Sequence, residues 1–129
     1  MLELKGIHHI AIICSNYAVS KAFYTEILGL EIIQEIYRAE RDSYKLDLSL
    51  AGKYVIELFS FPHPAERPSY PEAKGLRHLA FGVLNIEQQV EVLQEQGIKT
   101  EPIRVDETSN RKFTFFTDPD GLPLELYEI

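Results

Sequence analysis

Two histidines and two glutamates recur at matched spacing in this chain: His9 lies 48 residues before Glu57, and His78 lies 47 residues before Glu125. An imidazole nitrogen and a carboxylate oxygen are donors that a borderline divalent cation accepts. Two of each provide four ligands of a six-coordinate site, with two positions left for water or substrate. A cation chelated there by two adjacent substrate oxygens acts as a Lewis acid and acidifies the C–H beside a carbonyl. A carboxylate within reach of that carbon serves as base, and return of the proton to the neighbouring carbon isomerises the substrate.

The elements that position these four residues repeat as well. His9-Ile10-Ala11-Ile12 matches His78-Leu79-Ala80-Phe81, and Asn16 matches Asn85, at an offset of 69. Gly29 with Gly97, and Val55-Ile56-Glu57-Leu58 with Pro123-Leu124-Glu125-Leu126, match at 68, a slip that a single deletion near the end of the second helix would explain. Each half reads as strand, helix and three strands. In the first, a strand over Ile7–Ile13 leads to Asn16 as N-cap, then to a helix with Val19, Phe23 and Ile27 on one face, ended by Gly29; strands are expected near 31–37, 44–51 and 54–59. In the second, a strand over 76–83 leads to the capping pair Asn85 and Gln88, a helix facing Val90 and Leu93 inward and ended by Gly97, and strands near 99–105, 111–116 and 122–127. Asp118 and Asp120 are expected as turn residues before the last strand, and Phe61 to Pro71, with four prolines, as an extended linker.

Strand alternation places His9 with Ala11 and Ile13, and His78 with Ala80 and Gly82, on faces lined by small residues. Ile56 and Leu58 flank Glu57, and Leu124 and Leu126 flank Glu125, so each glutamate faces away from the helix layer. A carboxylate on a covered face is costly unless it is paired or bound to a cation. His8 falls on the opposite face and is assigned a structural role; His63 lies in the linker and faces solvent.

The 129 residues, 45% of them hydrophobic, suffice for one ordinary domain with its own core. A formal charge of -7 opposes general affinity for nucleic acid or anionic membrane, which leaves a small molecule as the expected partner. Cys14 is the only cysteine, so no internal disulfide forms, and with no signal peptide or membrane span in view the cytoplasm is the expected location.

The segments His8-His9-Ile10-Ala11-Ile12, Phe23-Tyr24 with Leu28-Gly29-Leu30, Val55-Ile56-Glu57-Leu58, Arg77-His78-Leu79-Ala80-Phe81 and Asp118-Pro119-Asp120-Gly121 with Leu124-Glu125-Leu126 together resemble the glyoxalase I / bleomycin resistance protein / extradiol dioxygenase (vicinal oxygen chelate) superfamily over essentially the whole chain. The resemblance implies an α+β fold: two βαβββ modules forming curled mixed sheets around a metal cavity, in a single domain over 1–129, with module 1 at about 4–61, the linker at 62–74 and module 2 at about 75–129. It implies one divalent metal (Ni, Zn, Co or Mn) on His9, Glu57, His78 and Glu125, and a homodimer whose sites are composed from two subunits. Extradiol dioxygenases and fosfomycin-modifying transferases typically carry two histidines and one glutamate, and epimerases usually place Gln at the position of Glu57. The full His, Glu, His, Glu set is similar to glyoxalase I.

The expected activity is therefore that of a lyase or isomerase, acting by proton abstraction beside a carbonyl through a metal-bound enediolate. Glu125 is the first choice as base and Glu57 serves the opposite face of the intermediate. An epimerase of the same superfamily, or a non-catalytic resistance-type binding protein, is the alternative. Where bacterial glyoxalase I proteins often hold glutathione with arginine and asparagine, this chain has Ile13 and Phe61. Arg41, Arg104 and Arg111, together with Arg38, Lys45 and Lys112, are candidate contacts for an anionic substrate; Tyr37, Tyr44, Phe113 and Phe115 are candidate walls of an apolar pocket, with core packing as their default role.

Overall fold

A computed structural model describes residues 1–129. The chain divides into two compact units, Met1–Ala65 and Glu66–Ile129, with the boundary inside the proline-rich stretch. In the first unit, β1 (Ile10–Cys14) leads to α1 (Tyr17–Ala22), a π-helical segment (Phe23–Ile27), β2 (Glu31–Arg38), β3 (Ser43–Leu50) and β4 (Lys53–Ser60). In the second, β5 (Leu79–Val83) leads to α2 (Ile86–Glu95), β6 (Arg104–Val105), β7 (Lys112–Thr117) and β8 (Pro123–Glu128). Both are βαβββ units with an open four-stranded sheet, in the order β1-β4-β3-β2 and β5-β8-β7-β6. The helical crossover makes the first strand parallel to the last in each, and the remaining pairs are antiparallel.

Alternation on these strands separates a core face from a polar face. Ile12, Cys14, Leu46, Leu48, Ile56 and Leu58 are buried in the first unit; Phe116, Leu124 and Leu126 are buried in the second. Each fully buried aliphatic side chain is worth about 1.5–3 kcal/mol, enough to pin the strand register, because a one-residue slip would turn the whole set outward. The helices supply Phe23 and Tyr24 to the first core, and Ile86, Val90 and Leu93 to the second.

Both helices start as expected. The Val19 N–H donates to Asn16 Oδ1 at 3.2 Å, and the Gln88 N–H donates to Asn85 Oδ1 at 3.1 Å. Gly97 ends α2 with φ +78°, and the Ile98 N–H returns to the Leu93 carbonyl. The first helical stretch differs from the expected one. Val19 is 50% exposed, and the buried positions are Ser20, Phe23 and Tyr24. The Leu28 N–H bonds to the Phe23 carbonyl, five residues back, and Thr25 Oγ1 donates to the Lys21 carbonyl at 2.8 Å. The turn is thereby widened, and the inward face rotates off the α-helical period. This accounts for the slip between the halves: the first helical stretch holds the extra residue as a π turn.

Three strand boundaries also differ. β1 and β5 start at Ile10 and Leu79, so His9 and His78 each stand just before a strand. The strand expected near 99–105 is reduced to Arg104–Val105, because Pro102 has no N–H to give a ladder. The chain before it is tied to β7 by the Glu101 N–H on the Phe115 carbonyl and by Thr114 Oγ1 on the Glu101 carbonyl. Asp118 and Asp120 fulfil their turn assignment: Asp118 Oδ1 accepts from the Asp120 and Leu122 N–H groups at 2.9 Å each. No helix is long and apolar enough to cross a membrane.

Candidate metal centre

Ala11 pairs with Glu57 across the parallel β1–β4 ladder, and Ala80 pairs with Glu125 across β5–β8. Each histidine stands two residues before its alanine and projects to the same side, so it reaches the glutamate next door. His9 Nε2 lies 3.7 Å from Glu57 Oε2, and His78 Nε2 lies 3.0 Å from Glu125 Oε2. The two glutamate side chains retain only 16% and 12% exposure. The expected His–Glu pairing on one face therefore holds inside each unit. Within each, the group stops at two; nowhere do three or more His, Cys, Asp or Glu side chains form a ready ligand cluster.

The two pairs have opposite surroundings. Around Glu57, Tyr54 OH lies 3.0 Å from Glu57 Oε2 and 2.8 Å from Asp47 Oδ1, while Lys45 Nζ lies 2.7 Å from Asp47 Oδ1 and 3.5 Å from Glu57 Oε2. Burial, then hydrogen bonds to the two carboxylates, push the Tyr54 phenol well above its ordinary value. The bond to Asp47 raises Lys45 despite its partial burial. The His8 and His9 rings pack on the Tyr54 ring with centroids 5.2 and 5.0 Å away, and their Nδ1 atoms are 2.8 Å apart. His8 therefore supports the pair rather than standing apart from it.

At the 68-residue offset, Lys45, Asp47 and Tyr54 become Phe113, Phe115 and Leu122. Glu125 accordingly pairs in register with Phe115, whose ring meets His78 edge-on at 5.0 Å. Arg77 Nη1 lies 3.1 Å from His78 Nδ1. Arginine only donates, so Nδ1 accepts and the ring's proton sits on Nε2, directed at Glu125. Ligation through Nε2 requires that proton to move to Nδ1 and Arg77 Nη1 to turn away from it.

Asp47 and Tyr54 were not among the expected site residues. Asp47 was signalled by the alternation Lys45, Asp47 against Leu46, Leu48, which places an acid and a base on the face of Glu57; no sequence pattern marks Tyr54.

The remaining candidates scatter. Arg41 ends an exposed turn, and Arg111 is exposed with only its backbone engaged in hydrogen bonds. Arg104 is bound to Glu101 at 2.8 Å and lies over the Phe113 ring at 5.0 Å. Lys112 pairs with Glu87, and Arg38 lies over the Phe59 and Phe61 rings. Tyr44 stacks on Tyr17 at 4.2 Å, and Tyr37 OH donates to Asp42 at 2.7 Å. His63 is exposed, as expected.

The profile of the Glyoxalase/Bleomycin resistance protein/Dioxygenase superfamily matches residues 6–126. The chain belongs to this superfamily. Its paired βαβββ units are the vicinal oxygen chelate fold, as the solved structure of the glyoxalase family protein from Enterococcus faecalis illustrates: TM-score 0.91 and 54% identity, over 98% of this chain and 100% of that one. YwkD of Bacillus subtilis (strain 168) is 66% identical over 97% of this chain and 98% of its own length. The metallothiol transferase FosB of Staphylococcus haemolyticus (strain JCSC1435) is 31% identical over 96% of this chain and 84% of its own. FosX from Listeria monocytogenes, solved with Mn(II) and 1S,2S-dihydroxypropylphosphonic acid, shares the fold with a TM-score of 0.73 and 22% identity, over 96% and 92% of the two chains.

The donor types fit such a metal: each unit offers one imidazole and one carboxylate, the nitrogen and oxygen donors that Ni, Zn, Co and Mn accept, and Glu57 carries the hydrogen-bond partners that orient a ligand carboxylate.

Proposed function

We infer that the protein is a glyoxalase I-like lyase or isomerase in which His9, Glu57, His78 and Glu125 hold one divalent ion and Glu125 moves the proton. A divalent ion held there supplies Lewis-acid polarisation of a chelated carbonyl. The reading rests on the contrast between the two glutamates. Tyr54 and Lys45 hold Glu57, whereas Glu125 has His78 as its only close polar partner and the Phe115 ring beside it. A carboxylate tied by several donors stays a ligand; one tied by a single imidazole can turn to a C–H, take its proton and return it to the adjacent carbon.

The experiment is metal analysis of the purified protein, followed by exposure of the metal-loaded enzyme to hemithioacetals of several thiols in deuterated solvent. Deuterium entering the carbon beside the carbonyl supports proton transfer, and Glu125→Gln should slow it by about a hundredfold or more while the metal is retained. Product formation without solvent exchange, as in thiol addition of the FosB kind, would replace this reading.

The glutathione hemithioacetal of methylglyoxal should be a poor substrate. Ile13 is exposed on the Ala11 face, and Phe61 is stacked against Phe59, so neither offers a charge or hydrogen bond to a tripeptide. A kcat/KM above about 10⁴ M⁻¹s⁻¹ would contradict this expectation.

A further inference from the structure

The second unit contains a cavity of about 560 Å³ whose charge runs against that of the chain. Arg67, Arg77, Lys99 and Arg104 line it against only Glu72 and Glu101, in a molecule of net charge -7. Both carboxylates are already engaged: Glu72 Oε1 accepts from Arg77 Nε at 2.9 Å, and Glu101 Oε2 accepts from Arg104 Nη2 at 2.8 Å. Lys99 has no carboxylate partner, and Arg67 gives Nη2 to the backbone carbonyls of Leu76 and Arg77 at 2.6 and 3.2 Å. Two cations are therefore left uncompensated in a concave wall, which focuses a positive potential that open solvent would otherwise screen.

Position gives this wall a use. Phe115 lines the cavity, meets the His78 ring, and pairs in register with Glu125, so the cavity opens beside that His–Glu pair. Its volume suits a small molecule. We propose that this cavity binds the oxyanion end, carboxylate or phosphate, of the small molecule whose other end reaches His78 and Glu125. The cations are Lys99 and Arg67, the two that no carboxylate in the wall neutralises. As a statement of substrate class the proposal rests on the metal-centre reading, but the binding itself does not require metal.

The test therefore uses the full-length protein stripped of metal by chelation, titrated separately with inorganic phosphate and with acetate at constant ionic strength and followed by amide-resolved NMR. The expected result is saturable shifts at Ser69, Thr100 and Thr117, which share the cavity wall. The anion with the lower Kd identifies the headgroup. Lys99→Gln and Arg67→Gln should each weaken that Kd about tenfold, the loss of one charge-assisted hydrogen bond, while Lys53→Gln on the first unit should leave it unchanged. Non-saturating shifts spread over surface cations, or both cavity variants titrating as the wild type, would overturn the proposal. Loss of saturable binding with metal content normal on reloading removes the anion site alone; saturable binding in a protein that takes up no metal removes the metal-centre reading alone.

Discussion

The phenol of Tyr54 has one proton and two carboxylates within reach of it. Tyr54→Phe removes that donor without changing ring packing on His8 and His9. The variant should fold normally and bind metal about 10–100-fold more weakly, as loss of an outer-shell partner does; competition against a chelating dye measures it, and an unchanged affinity would show that Lys45 alone orients Glu57. His78→Ala should lose the metal altogether while keeping its circular dichroism spectrum, and metal content equal to wild type would refute the ligand assignment. The four residues could be singled out from sequence because each pair repeats and strand period fixes its side. Tyr54 could not be: nothing in the second half echoes it, and its hydrogen bonds to Asp47 and Glu57 depend on the β3–β4 register that only the folded sheet supplies.

Strands and caps were readable where a local rule dictates them, as with Asn16, Asn85, Gly97 and the Asp118 turn. They were misread where one backbone group changes partner. Pro102 empties most of the strand before Arg104, and Thr25 draws off the Lys21 carbonyl and rotates the first helix's inner face. The β6–β7 connection is held by Asp106, whose carboxylate accepts from the Thr108 hydroxyl and N–H and from Tyr127 OH. The Thr108 bonds hold that carboxyl down at about 2, below its ordinary 3.8. Because the folded value is the lower one, its contribution is complete above pH 3.8 and disappears as pH falls toward 2. Amide shifts of Thr108 should therefore stay constant from neutral pH to about 4 and change below it, and Asp106→Asn should abolish that step.

A two-fold homodimer is the expected assembly. On the edge strand β2, Ile32 and Ile33 keep 47% and 52% exposure beside a bulge at Ile33, an apolar step on an edge otherwise carrying Glu31, Glu35 and Arg38. Ile33→Lys should shift sedimentation toward monomer at micromolar concentration; wild-type protein already monomeric with metal bound would exclude the dimer. The π turn between Asn16 and Gly29 works as a length buffer: the helix takes up a surplus residue while both of its ends stay in place, so the path from His9 to the returning strand is insulated from it. Deleting Thr25 should relax the turn to α-helix and leave metal content and fold as they were. Deleting Leu79, in a β5–β8 ladder without a register shift, would turn His78 to the opposite face and silence the centre. Tolerance of indels along this chain is thus set by whether the element can coil around the change, and the first helix is where that slack lies.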